Sequence, residues 1–118
     1  MRSETEEPSA EMEVYPIQEP RLRSFELYEE YSQRPIDNTI RIRRENFDKA
    51  DLKAKRESVT MVEGEVCDFR VWLEETKNLE PTLAYYYAVS LKSVLLGLSG
   101  GVQLARLFDA ILDAQSRK

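Results

Sequence analysis

Cations and flat apolar rings are the side chains of this 118-residue chain whose types and spacing point to chemistry. Arg41, Arg43, Arg44, Lys53, Lys55 and Arg56 crowd into one segment, with Phe47 between the two clusters and Phe69 and Trp72 further along. Cations at this density hold a run of phosphates or carboxylates, and rings among them are platforms on which bases stack. Stacking contributes about 1–3 kcal/mol per base, the same order as burying a Phe in a core, so spacing leaves each ring open to either role. Phe47 is the best stacking candidate, because it lies in a polar stretch where a core role is less obvious.

The net charge of -5 conceals blocks of opposite sign. Residues 1–30 hold nine acids and three bases, residues 34–56 hold eight bases and four acids, and residues 57–80 return to a net -5. Local field, rather than net charge, decides where an anion docks, so the basic block is a candidate surface in an acidic protein. The bland reading of the same block is a solvated, salt-bridged face. A third of the residues are charged, a composition that leans towards a thermophilic source.

Enzyme chemistry finds little support. There is no His and a single Cys, Cys67, which removes imidazole catalysis, intramolecular disulfides and Cys/His zinc sites together. Glu74 and Glu75 are adjacent and, on a helix, do not face each other as an acid/base pair. Ser99-Gly100-Gly101 lacks the Lys-Ser/Thr continuation of a phosphate loop and reads as a helix stop. Cys67, among Val66, Phe69 and Val71, is expected to be a buried structural thiol. The chain is therefore read as a binding protein with no cofactor and no metal. With no apolar run near the roughly 18 residues of a membrane span, and no leader pattern in its acidic first residues, it is expected to be soluble and cytoplasmic.

The elements that would position the cations follow from periodicity. Residues 1–21, rich in Glu with Pro8, Pro16 and Pro20, are expected to be a flexible, disordered acidic arm, and residues 22–118 a single domain. Phe25, Leu27, Tyr28 and Tyr31 predict a short helix over Arg23–Gln33, ending before Arg34-Pro35. Thr39-Ile40-Arg41-Ile42-Arg43 alternates β-branched with basic residues, as a half-buried strand does, with Ile40 and Ile42 facing in. Leu52-Lys53-Ala54-Lys55 repeats the pattern, and pairing the two would set Arg41 and Arg43 opposite Lys55 and Lys53. A helix from Phe47 to Glu57 capped by Asn46 is the competing reading. Ser58–Val62, a Glu63-Gly64 turn and alternation through Cys67, Phe69, Val71 and Leu73 read as a hairpin, although Val66–Asn78 also fits a helix. Two helices follow, over 81–98 and 101–116, broken by glycine. The expected fold is α+β, a small antiparallel β-sheet packed against C-terminal helices.

In this order of elements, the chain resembles the archaeal ThermoDBP single-stranded DNA-binding proteins and their relatives. The likeness spans roughly residues 22–115: an aromatic helix (Phe25, Tyr28, Tyr31), an Arg-rich strand (Thr39 to Arg44), the block Lys53-Ala54-Lys55-Arg56, Phe47 and Phe69, and closing helices. The resemblance implies a Phe-lined cleft that takes a single strand, with Phe47 and Phe69 as its lining and Arg41, Arg43, Lys53 and Lys55 as its flanks. The C-terminal leucine zipper of the family's founding type has no counterpart here beyond Leu104, Leu107, Phe108, Ile111 and Gln115. Sequence-tolerant binding of single-stranded DNA or RNA is thus the leading expectation. The alternative is a protein-interaction subunit that meets an acidic partner through its basic face, or forms a homo-oligomer through its Tyr-rich and C-terminal helices.

Overall fold

The computed structural model describes residues 22–116, and these residues are helical with no strand among them. Six helices follow in order: α1 (Arg23–Ser32), α2 (Ile36–Lys49), α3 (Leu52–Glu75), α4 (Pro81–Ser90), α5 (Lys92–Leu96) and α6 (Gly101–Ser116). The acidic arm expected over residues 1–21 lies outside the described residues.

The absence of a sheet overturns the α+β expectation, and the cause is visible residue by residue. Thr39–Arg43 alternates over five positions, but the longer series Ile36, Ile40, Arg43, Phe47 recurs every third or fourth residue and forms the inward side of α2. Ile42, expected to face in, is 47% exposed. Leu52–Lys55, the second expected strand, is the first turn of α3, and Leu52 is 64% exposed. The expected hairpin is also α3: Glu63-Gly64 is mid-helix, and Lys55, Val59, Val62, Val66, Phe69 and Leu73, spaced alternately four and three apart, turn inward together. Gly64 costs this helix roughly 1 kcal/mol relative to Ala. Cys67 falls off the stripe and is exposed, not buried. The helix expected over Phe47–Glu57 is interrupted at Ala50, and Asp51 rather than Asn46 provides the cap, accepting from the Ala54 amide at 2.9 Å.

Elsewhere periodicity and structure coincide. α1 ends where Gln33 turns left-handed ahead of Arg34-Pro35. α6 begins at Gly101, and Pro81 opens α4 with Glu80 accepting from the Thr82 amide. The helix expected over 81–98 is split: Ser90 Oγ donates to Tyr87 O at 2.8 Å, the Leu91 amide reaches back to Ala88 O, and the axis breaks at the buried Leu91.

The core gathers Phe25, Leu27 and Tyr28 from α1, Ile36 from α2, Val62, Phe69 and Leu73 from α3, Ala84 and Ala88 from α4, Leu91, Val94 and Leu95 around α5, and Ala105 from α6. Small residues on α4 and α6 let those helices approach closely. The N-terminus of α1 is held by a buried carboxylate on α6: Asp109 accepts from Ser24 Oγ at 2.8 Å and from the Ser24 amide at 3.2 Å.

Gly97 ends α5 at φ +85°, and a Cβ there would lie 2.4 Å from the backbone oxygen of Arg43 on α2. Both the left-handed backbone and the close approach require glycine. Gly97→Ala is expected to destabilise the fold by about 3 kcal/mol in urea denaturation, because α2 must move away from α5. A loss below about 1 kcal/mol would show that this contact is loose.

Candidate functional site

Helical geometry scatters the cations that a sheet would have aligned. Successive residues turn about 100°, so Lys53 and Lys55 stand roughly 200° apart on α3, and Arg41, Arg43 and Arg44 spread around α2. Arg41 is exposed and pairs loosely with Glu45 at 3.9 Å, one turn along. Arg44, Lys53 and Arg56 are exposed. Lys55 is half-buried, with its ammonium 5.1 Å from the centre of the Phe47 ring, which it partly covers.

Arg43 turns the other way. Its guanidinium donates to Glu65 Oε1 at 2.9 Å and Glu65 Oε2 at 3.1 Å, and to the Leu95 carbonyl at 2.9 Å. Tyr28 donates to the same Glu65 Oε2 at 2.6 Å. One cation thereby ties α1, α2, α3 and α5 together, and it is not the solvent-facing contact expected of it. The Tyr28 phenol is pushed well above its ordinary range, first by burial and then by its hydrogen bond to Glu65. The Arg43 guanidinium is also raised: burial opposes its charge, and the bonds to Glu65 outweigh that penalty.

The rings sort in the same manner. Phe69 is wholly buried and is core, not a stacking platform. Trp72 is half-buried and lies stacked on Phe69 with centroids 6.2 Å apart, while Tyr31 meets Trp72 at 5.5 Å and Phe69 at 5.3 Å. Tyr28 completes this cluster edge-on to Phe69. Phe47 is half-buried between α2 and α3. The Phe-lined cleft implied by the resemblance is therefore not formed by Phe47 and Phe69.

The structure instead opens a cleft where α1, α2 and α3 meet, with a volume of about 440 Å³. Tyr28, Arg43 and Glu65 line it, and Tyr31, Arg34, Ser32, Thr39 and Ile42 surround them. Ile42 and Arg43 also line a smaller cavity of about 140 Å³ that continues towards Phe47 and Met61. Sequence reasoning missed Glu65, Tyr28, Arg34 and Thr39 as site residues. The available signal was an arginine set at helical spacing within the stripe Ile36, Ile40, Phe47, since a buried cation needs a carboxylate from a neighbouring element.

A second candidate surface is the outward side of α6. Gly101, Ala105, Asp109 and Leu112 face in, whereas Leu104, Leu107 and Ile111 are 41%, 58% and 46% exposed. All three belong to the short apolar series Leu104, Leu107, Phe108, Ile111 and Gln115 noted in the sequence.

Among the described residues no group of three or more His, Cys, Asp or Glu side chains is arranged to hold a metal ion, and no helix is long and apolar enough to cross a membrane. No protein family, curated protein or solved structure matches the chain.

Replacing Arg43 by Met leaves Glu65 and Tyr28 facing each other without their cation. Arg43→Met is expected to cost about 2 kcal/mol by chemical denaturation, less than a fully buried pair because a fifth to a quarter of each side chain meets solvent. The double variant Arg43→Met/Glu65→Met should recover most of that loss. A neutral single variant would return Arg43 to the set of surface cations.

Proposed function

We propose that this chain is a non-catalytic protein-interaction module that docks through the outward face of α6, with a second copy of the chain as its partner. The observation that carries the reading is the stripe Leu104, Leu107, Ile111, spaced three and four apart along an exposed flank of α6 beside its buried face. That spacing is the seam by which one helix packs on another. The exposed small residues Ala110 and Ala114 flank it and leave room for a second helix. An antiparallel pair related by two-fold symmetry sets the stripe against its own copy, so the face is complementary to itself.

The magnitudes describe a weak association. Each of the three side chains, about half exposed, contributes roughly 1 kcal/mol on burial, or about 6 kcal/mol over two copies, against an association cost of at least about 4 kcal/mol. The surplus of about 2 kcal/mol corresponds to a dissociation constant of about 30 mM from these side chains alone. Light scattering over a concentration series into the millimolar range should show the average mass rising above that of the monomer. Leu107→Glu should hold the chain monomeric while leaving its thermal melt within about 0.5 kcal/mol of the parent, because Leu107 carries no core packing. Monomer at every concentration, or no effect of Leu107→Glu, would sink the proposal.

A second reading, sequence-tolerant contact with single-stranded nucleic acid, keeps one specific observation in its favour. Arg44, Lys49, Lys53 and Arg56 around the α2–α3 connection are all exposed. These cations can meet phosphates, but Phe69 is buried, Phe47 is partly covered by Lys55, and Trp72 is half-buried against Phe69 and Tyr31. Four phosphate contacts give a log-log salt slope of about -3. A fluorescent single strand titrated at several salt concentrations should show weak, steeply salt-dependent binding if this reading holds, and salt-independent or negligible binding if it does not.

A further inference from the structure

We propose that the cleft between α1, α2 and α3 is a binding site for a small aromatic oxyanion of about mononucleotide size. Its volume of about 440 Å³ lies within the range of ligand pockets, about 300–1,000 Å³. Its floor is the Arg43–Glu65 pair, and the two charges already answer each other: Glu65 accepts from Arg43 and Tyr28, and Arg43 donates to Glu65 and to the Leu95 carbonyl. A ligand is therefore not needed to neutralise that pair.

The charge left over sits at the rim. Arg34 lines the cleft, is exposed, and makes no ion pair among the described residues. Its backbone stands between the left-handed Gln33 and the ring of Pro35, which disfavours the helical conformation and holds Arg34 where the two helices part. With Arg43 and Arg34 against Glu65, the cleft carries one excess positive charge, and a guanidinium fork matches a carboxylate or phosphate.

The walls select the rest of the ligand. Tyr31 has its ring anchored among Tyr28, Phe69 and Trp72, and it also lines the cleft as a rigid flat surface. Ile42, 47% exposed, adds an apolar side chain that core packing leaves uncovered. A flat ring covers such surfaces with little loss of conformational freedom, and the Thr39 hydroxyl adds a polar contact beside it. The source of the oxyanion, phosphate ester or carboxylate, is open to both chemistries because the fork accepts either.

Calorimetric titration of the full chain with adenosine 5′-monophosphate and with indole-3-acetate tests this, with adenosine and inorganic phosphate as the ring-only and anion-only controls. At least one aromatic oxyanion should bind with a dissociation constant of about 1 mM or tighter, and both controls should bind about tenfold more weakly or worse. Arg34→Gln should weaken that binding at least about tenfold, Ile42→Trp should block the cleft, and Arg23→Gln, at the other end of α1, should leave affinity unchanged. Arg34 and Ile42 are exposed, so both variants are expected to fold, as an unchanged thermal melt would verify. Absence of binding by both aromatic oxyanions would overturn the proposal, as would equal losses in Arg34→Gln and Arg23→Gln, or an affinity indifferent to Ile42→Trp. Because the site lies away from α6, failure here leaves the self-association reading standing, and the reverse also holds.

Discussion

The architecture hangs on a single charge held inside it. Arg43 leaves the inward stripe of α2 and reaches Glu65 on α3, while Tyr28 of α1 and the Leu95 carbonyl of α5 close around the same two groups. Four helices meet at this point, with three guanidinium hydrogen bonds from Arg43 and both carboxylate oxygens of Glu65 engaged. Desolvating an ion pair costs several kcal/mol, and hydrogen bonds from all sides offset that cost without making the pair a strong net stabiliser. Its larger consequence is geometric. An apolar stripe slides in register with little penalty, whereas a bidentate guanidinium permits one relation of α2 to α3.

From that relation the other features follow. Gly97 brings α5 against the Arg43 backbone so closely that no side chain fits between, which places the Leu95 carbonyl within reach of the guanidinium. The aromatic cluster of Tyr28, Tyr31, Phe69 and Trp72 fills the space between α1 and the far half of α3. Where the ion pair stands in place of apolar packing, the three helices cannot close, and the cleft is the space that remains. At the other end of α1, the Ser24–Asp109 bonds tie it to α6. That contact uses up the inner side of α6 and leaves Leu104, Leu107 and Ile111 outside.

How far the fold was legible depended on the length of each periodic run. α1 and α6 show their apolar residues over several turns, bounded by proline or glycine, and such runs admit one period. The middle third does not. Thr39–Arg43 and Leu52–Lys55 are too short to separate a period of two from one of three to four, and the β-branched Ile40, Ile42 and Val59 favour strands locally. Over the full α3 the spacing of Lys55, Val59, Val62, Val66, Phe69 and Leu73 is helical, but Lys55 and the exposed Met61 blur it, and Gly64 reads as a turn. The site suffered from the same ambiguity. The cations were identifiable as a cluster along the chain, yet the direction of each depended on the period: a strand would align Arg41 with Arg43, and the helix sends one to solvent and the other to Glu65.

Composition and periodicity settled what kinds of groups the chain has to place: no imidazole, one thiol, a basic block within an acidic chain, and amphipathic helices at both ends of the described residues. These are sums or local repeats, and neither needs a partner element to define it. The roles of Arg43, Phe69 and Cys67 came from packing between helices, which half-buried the first, buried the second and left the third exposed. Burial is a property of two surfaces brought together. A residue in α2 meets its carboxylate 22 positions away in α3 and a carbonyl 52 positions away in α5, and no local pattern encodes that meeting.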